Sequence, residues 1–133
     1  MGYVFEFDEA NNTLRVVWDG QLTDEIFLEG IAAARRFVQQ QPVGRAINDL
    51  SGAKVVDVST EAIRTLALGQ TSDEEANVMV VVVAPSDLAF GLSRMYSVLT
   101  EETRPTRRVA RTMEEAYELL EIKNPQFRRI EVA

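Results

Sequence analysis

This sequence contains no cysteine and no histidine. That excludes disulfides, thiolate nucleophiles, Ser-His-Asp triads, imidazole bases and the common zinc sites together. Carboxylate, lysine, tyrosine and backbone groups remain for chemistry, and there is no glycine-rich phosphate loop of the GxGxxG or Walker type. The expectation is a protein that is not an enzyme and that uses no cofactor and no metal. Basic charge is also scarce: 14 Lys and Arg against 21 Asp and Glu leave a net charge of -7, the wrong sign for coating nucleic acid. No apolar run approaches the ~20 residues of a membrane span. The opening MGYVFEFDEA has neither a basic leader nor an apolar signal core, so a cytoplasmic location is expected.

What is present suffices for one ordinary domain: 133 residues, 46% of them hydrophobic. The longest apolar stretch, Val78 to Ala84, is apolar at every alternate position on both sides. That pattern predicts a central strand covered by helices above and below. Pro85 ends it and Ser86 caps a following helix. The predicted inner face of that helix is Leu88, Leu92, Met95 and Leu99, with Tyr96 beside it. Phe90 projects from nearly the opposite side, close to Arg94. Together with Asp49, the residues Phe90, Arg94, Met95 and Tyr96 form a candidate interaction surface.

Before this helix, Tyr3 to Phe7 and Thr13 to Trp18 read as an antiparallel hairpin, with Asp19-Gly20 as its end. Thr23 caps a helix from Asp24 to about Gln40, whose apolar side is Phe27, Gly30, Ile31, Ala34, Phe37 and Val38. Arg45 to Leu50 is a short strand with Asn48 and Asp49 at its end, where open α/β sheets often place functional groups. Ser51 to Lys54 reads as a loop. Ser59 or Thr60 caps a helix reaching about Gly69, with Ala62, Ile63, Leu66 and Ala67 inward, and Thr71 to Asn77 is a polar surface connection.

After the third helix, Thr106 to Ala110 is a charged edge strand, and Arg104, Arg107, Arg108 and Arg111 crowd this region as a solvated edge. Thr112 opens a last helix with Met113, Ala116, Tyr117 and Leu120 on its apolar face. In the tail, Phe127, Ile130 and Val132 suit an extra strand, added to this chain or to a partner's edge. The fold class is α/β: a single-domain mixed sheet over residues 1–121 with covering helices and an N-terminal hairpin, followed by a C-terminal tail at 122–133.

The order of elements, with Asp49-Leu50-Ser51-Gly52 followed by Val56-Asp57-Val58-Ser59-Thr60 and a helix, resembles the STAS domains of bacterial anti-sigma factor antagonists. Those domains carry a strand ending near Asp and an Asp-Ser-Ser-Gly or Asp-Ser-Thr-Gly turn at a helix start. The pattern as a whole, with the long apolar strand, Phe90-Gly91-Leu92-Ser93-Arg94-Met95 and the closing Glu114-Glu115-Ala116 helix, is more similar to the SpoIIAA-like branch of STAS proteins. That branch is also likened to lipid-exchange domains. The resemblance extends to about Glu121. It implies a phosphorylated hydroxyl at Ser59, with Asp57 as the matching acid and Thr60 beside it. Val58 stands where the antagonists have their first serine, and Thr60 where they have glycine.

Two functions are compatible with this reading. One is a non-enzymatic regulatory or protein-interaction module with a protein partner, expected to form a homodimer. The other is a carrier or sensor of a small apolar or anionic, lipid-like ligand, held in a pocket between the Phe90 to Leu99 helix and the sheet. A deep apolar pocket favours the second; a filled core with an exposed patch favours the first.

Overall fold

A computed structural model describes residues 2–68, 77–100 and 107–131. The elements are β1 (Tyr3–Asp8), β2 (Thr13–Thr23), α1 (Asp24–Gln40), β3 (Arg45–Asp57), α2 (Thr60–Leu68), β4 (Met79–Val83), α3 (Asp87–Leu99), β5 (Arg107–Ala110), α4 (Met113–Leu120) and β6 (Arg128–Ile130). Among the described residues the strands form one six-stranded sheet in the order β5-β4-β3-β2-β1-β6. Strands β2 to β5 run parallel, whereas β1 is antiparallel to both β2 and β6. The mixed α/β class and the N-terminal hairpin therefore stand as read from the sequence. No helix among the described residues is long and apolar enough to cross a membrane.

The sheet separates two cores. Alternation places Phe5, Leu14, Val16, Trp18, Ala46 and Val80 on one face, beneath α1. Ile47, Val81, Val83 and Ala110 lie on the other, beneath Ala116 and Leu120 of α4. Gly30 explains how closely α1 approaches: a Cβ there would lie 2.3 Å from the Trp18 ring, so only glycine lets this helix rest on the indole.

The caps behave as their sequences suggest. Thr23 accepts the Ile26 amide at 3.3 Å, Ser86 accepts Ala89 at 3.1 Å, and Thr112 accepts Glu115 at 3.2 Å. Glu115 reaches back to the Arg111 amide at 2.8 Å, one residue earlier than the reciprocal bond of a capping box.

Four expectations are corrected. Asp19-Gly20 does not end β2, which continues to Thr23 through two register shifts beside β3. Gly20 sits at φ +71°, a conformation that suits a bulge and spares the strand from breaking. Ser51 to Lys54 is not a loop, because pairing with this extended β2 carries β3 through to Asp57. The Val78 to Ala84 stretch is an interior strand, second from an edge rather than central, and Met79 at its start is exposed. Finally, α3 is turned from its predicted face: Ala89 and Tyr96 are buried, while Leu88 and Leu99 face solvent. The small Ala89 permits close approach to the sheet, and the large Tyr96 ring gains more from burial than either leucine.

The surface connection at Thr71 to Asn77 lies, apart from Asn77, outside the described residues. The stretch set off as a tail supplies buried Ile122 to the second core and adds β6 to this chain's own β1 edge. Asp8 secures it by accepting the Gln126 amide at 2.9 Å, as well as the Asn11 side chain at 2.7 Å.

Candidate functional site

Between the sheet and helices α1, α2 and α3 lies a partly enclosed cavity of about 120 Å³. Its floor is the alternating face of β2, β3 and β4, where Leu14, Val16 and Trp18 are almost wholly buried. Its roof comes from Phe27, Ile31 and Ala34 of α1, Ile63 and Leu66 of α2, and Leu92 and Tyr96 of α3. These helices present apolar faces because their hydrophobic residues recur at three and four positions. Arg35, Asn48, Ser93 and Arg107 are the long or polar exceptions on the wall. The Arg107 guanidinium lies 4.9 Å from the centre of the Tyr96 ring.

The sequence pattern puts Asn48 at a strand end where functional groups often lie, puts Arg35 on the outer side of α1 and says nothing of Ser93; the structure puts all three on the cavity wall. The available signal was an amide between Ala46 and Leu50, on one alternating face of β3. Trp18 Nε1 donates to Asn48 Oδ1 at 3.2 Å.

Asp49 points to the opposite face and does not join the cavity. It is buried, and Arg15 holds it from Nη2 at 2.5 Å and Nε at 3.2 Å, while the Ser51 amide donates to its other oxygen at 2.9 Å. Arg15 also bonds Glu6 at 2.9 Å and lies over the Phe127 ring. Burial alone raises the Asp49 carboxyl, but hydrogen bonds from Ser51 and Arg15 outweigh it and leave the group below the usual carboxylate range. Burial is also the main reason that Tyr117, on neighbouring α4, is raised. A carboxylate held ionised by two guanidinium N–H groups on one oxygen and the Ser51 amide on the other ties β2 to β3.

Ser59 caps α2, its oxygen accepting the Ala62 amide at 3.0 Å. Its carboxylate partner is Asp24 at the start of α1, which accepts the Ser59 hydroxyl and amide, each at 2.7 Å. Asp57 is exposed at the end of β3, where it pairs with Thr23, and Thr60 is exposed in the first turn of α2. A phosphate on Ser59 would therefore meet both the positive end of α2 and the negative charge of Asp24.

The residues grouped around Phe90 are divided by the turn of α3. Tyr96 is buried against Ile63, Leu66 and Ala67 of α2, and Met95 is partly buried in the same cluster. Arg94 is exposed, and the half-buried Phe90 ring carries the Arg111 guanidinium 3.9 Å from its centre. Arg111 also donates to the Pro85 carbonyl and to Asp87, so it closes the start of α3 instead of standing in solvent alone. Arg108 is exposed on β5, and Arg104 lies outside the described residues. Leu88, Val98 and Leu99 are 57%, 64% and 40% exposed.

Among the described residues no three acidic side chains gather as a metal site would require. Comparison of the chain with protein-family models, with curated proteins and with solved structures finds no match.

Proposed function

We propose that this domain is a cytoplasmic, non-enzymatic carrier or sensor that binds a small apolar ligand between its sheet and helices α1 to α3. The observation that supports this reading is the cavity of about 120 Å³ within the larger core. Protein interiors are packed to near crystalline density, and few voids exceed a water molecule. An unfilled apolar space in a core leaves its lining without contact partners, and a ligand that fills it restores those contacts. The test is native mass spectrometry of the protein purified from its own host. A bound mass that is lost on denaturation supports the reading. A bare chain whose Trp18 fluorescence is unmoved by small apolar probes removes it.

A second reading has a separate observation in its favour. Leu88, Val98 and Leu99 leave an apolar strip on α3 exposed, as on proteins that bind a partner or a second copy of themselves. The resemblance to SpoIIAA-like STAS domains belongs with this reading, with Ser59 as the phosphorylated residue. Sedimentation equilibrium on wild type and Val98→Glu tests it, since a homodimer using this strip dissociates in the variant. A wild-type monomer at high concentration counts against the homodimer.

A further inference from the structure

Asn48 carries information about the ligand, if the cavity binds one as proposed above. It stands on β3 between Ala46 and Leu50 of the same face, beside Val16 of β2 and Val82 of β4. A primary amide on such a wall is unfavourable unless its donors and acceptor are satisfied. Indole Nε1–H is a donor only, so the bond from Trp18 at 3.2 Å requires the Asn48 oxygen on that side. The amide orientation is thereby set, and Nδ2 faces away from Trp18 with two N–H donors. Neither donor meets a protein acceptor among the described residues, although Asn48 is half-buried. The Ser93 hydroxyl, across the cavity on α3, likewise makes no hydrogen bond among the described residues.

The remainder of the wall describes the body of the ligand. The volume of about 120 Å³ is of the order of the ~150 Å³ void that admits benzene. Trp18, Phe27 and Tyr96 supply aromatic faces and edges around it. No acidic residue lines it among the described residues, so an electron-rich oxygen meets no repulsion there. We propose that the ligand is a compact aromatic molecule bearing a hydrogen-bond acceptor oxygen, and that Asn48 Nδ2 donates to that oxygen and so selects it over a hydrocarbon of the same shape.

Trp18 is the single tryptophan and lies on the cavity wall, so its emission reports binding directly. The full chain is titrated with ethylbenzene, acetophenone and benzoate, with calorimetry as a second readout. Acetophenone binds roughly fivefold more tightly than ethylbenzene, the factor expected for one net hydrogen bond. Benzoate tighter than acetophenone identifies a carboxylate as the preferred acceptor; the reverse order identifies a neutral carbonyl. Asn48→Asp keeps an oxygen for the indole but loses the donor, so it abolishes the acetophenone preference while retaining ethylbenzene binding, which shows the cavity intact. Asn48→Leu has the same outcome without introducing charge. Equal wild-type affinities for ethylbenzene and acetophenone overturn the proposal but leave the cavity as a ligand site. Binding of none of the three overturns both. If neither variant folds, the wild-type comparison alone decides.

Discussion

The Ser59 hydroxyl donates to Asp24 at 2.7 Å while its oxygen caps α2, so one side chain joins the starts of two helices. Ser59→Ala loses both bonds and should cost about 1–2 kcal/mol in urea unfolding. Ser59→Asp keeps a capping oxygen but brings a second carboxylate to Asp24. It should be less stable than wild type by an amount that shrinks in high salt, and Asp24→Asn in the same chain should recover the lost stability. A salt-independent loss that Asp24→Asn does not repair would show that the two groups do not oppose one another.

Acid sensitivity should be traceable to Asp49. Its carboxyl is lowered on folding, so it contributes stability that is present above the unfolded-state value near 4 and is lost as pH falls through the lower folded value. Asp49→Asn should remove that share of the acid loss, flattening unfolding stability below about pH 4. Asp8 contributes in the same direction: burial raises it, but bonds from Gln126 and Asn11 more than offset this. At neutral pH Asp49→Asn should cost about 3 kcal/mol, the low end for breaking a buried pair, because the Arg15 side chain retains 23% of its exposure.

Replacing Gly30 by alanine sets helix propensity against packing. Alanine favours the helix by roughly 1 kcal/mol, yet its Cβ falls 2.3 Å from Trp18. Overpacking of this kind costs about 1–3 kcal/mol. The net expectation is a lower melting temperature with an altered Trp18 emission maximum. A stabilised Gly30→Ala protein with unchanged emission would place the indole elsewhere.

Filling the cavity should separate stability from binding. Ala34 lines it from α1, and Ala34→Leu adds apolar volume to an existing void. The variant should melt at a higher temperature than wild type and lose the response of Trp18 to acetophenone. A variant that still binds the probe would show that the ligand sits outside this cavity.

Truncation after Glu121 should not yield a stable domain. It removes buried Ile122, the Gln126 bond to Asp8 and the β6 strand, leaving the β1 edge open. Exposed edges invite pairing with other chains, so aggregation in light scattering is the expected outcome. A soluble truncated chain with wild-type melting temperature would make the segment dispensable.

Local signals alone determined much of this protein. Ser86 and Thr23 cap helices because side-chain oxygens satisfy nearby amides, and the run Val80 to Val83 forms an interior strand because such a run has no polar face to expose. Ala62, Ile63, Leu66 and Ala67 point inward because their spacing places them on one side of a helix. Tertiary structure decided what depends on partners distant in sequence. Ser51 to Lys54 became strand because extended β2 lies beside it, and α3 turned Tyr96 inward because α2 and Arg107 offered the ring more contact than solvent offered Leu88. Asp24 became the partner of Ser59 in place of the nearby Asp57 because parallel β2 and β3 bring the starts of α1 and α2 together. A pocket between α3 and the sheet was legible as an expectation, but its volume and the Asn48 amide in its wall were not: a void is the space left when three helices meet one sheet, and no single segment encodes its size.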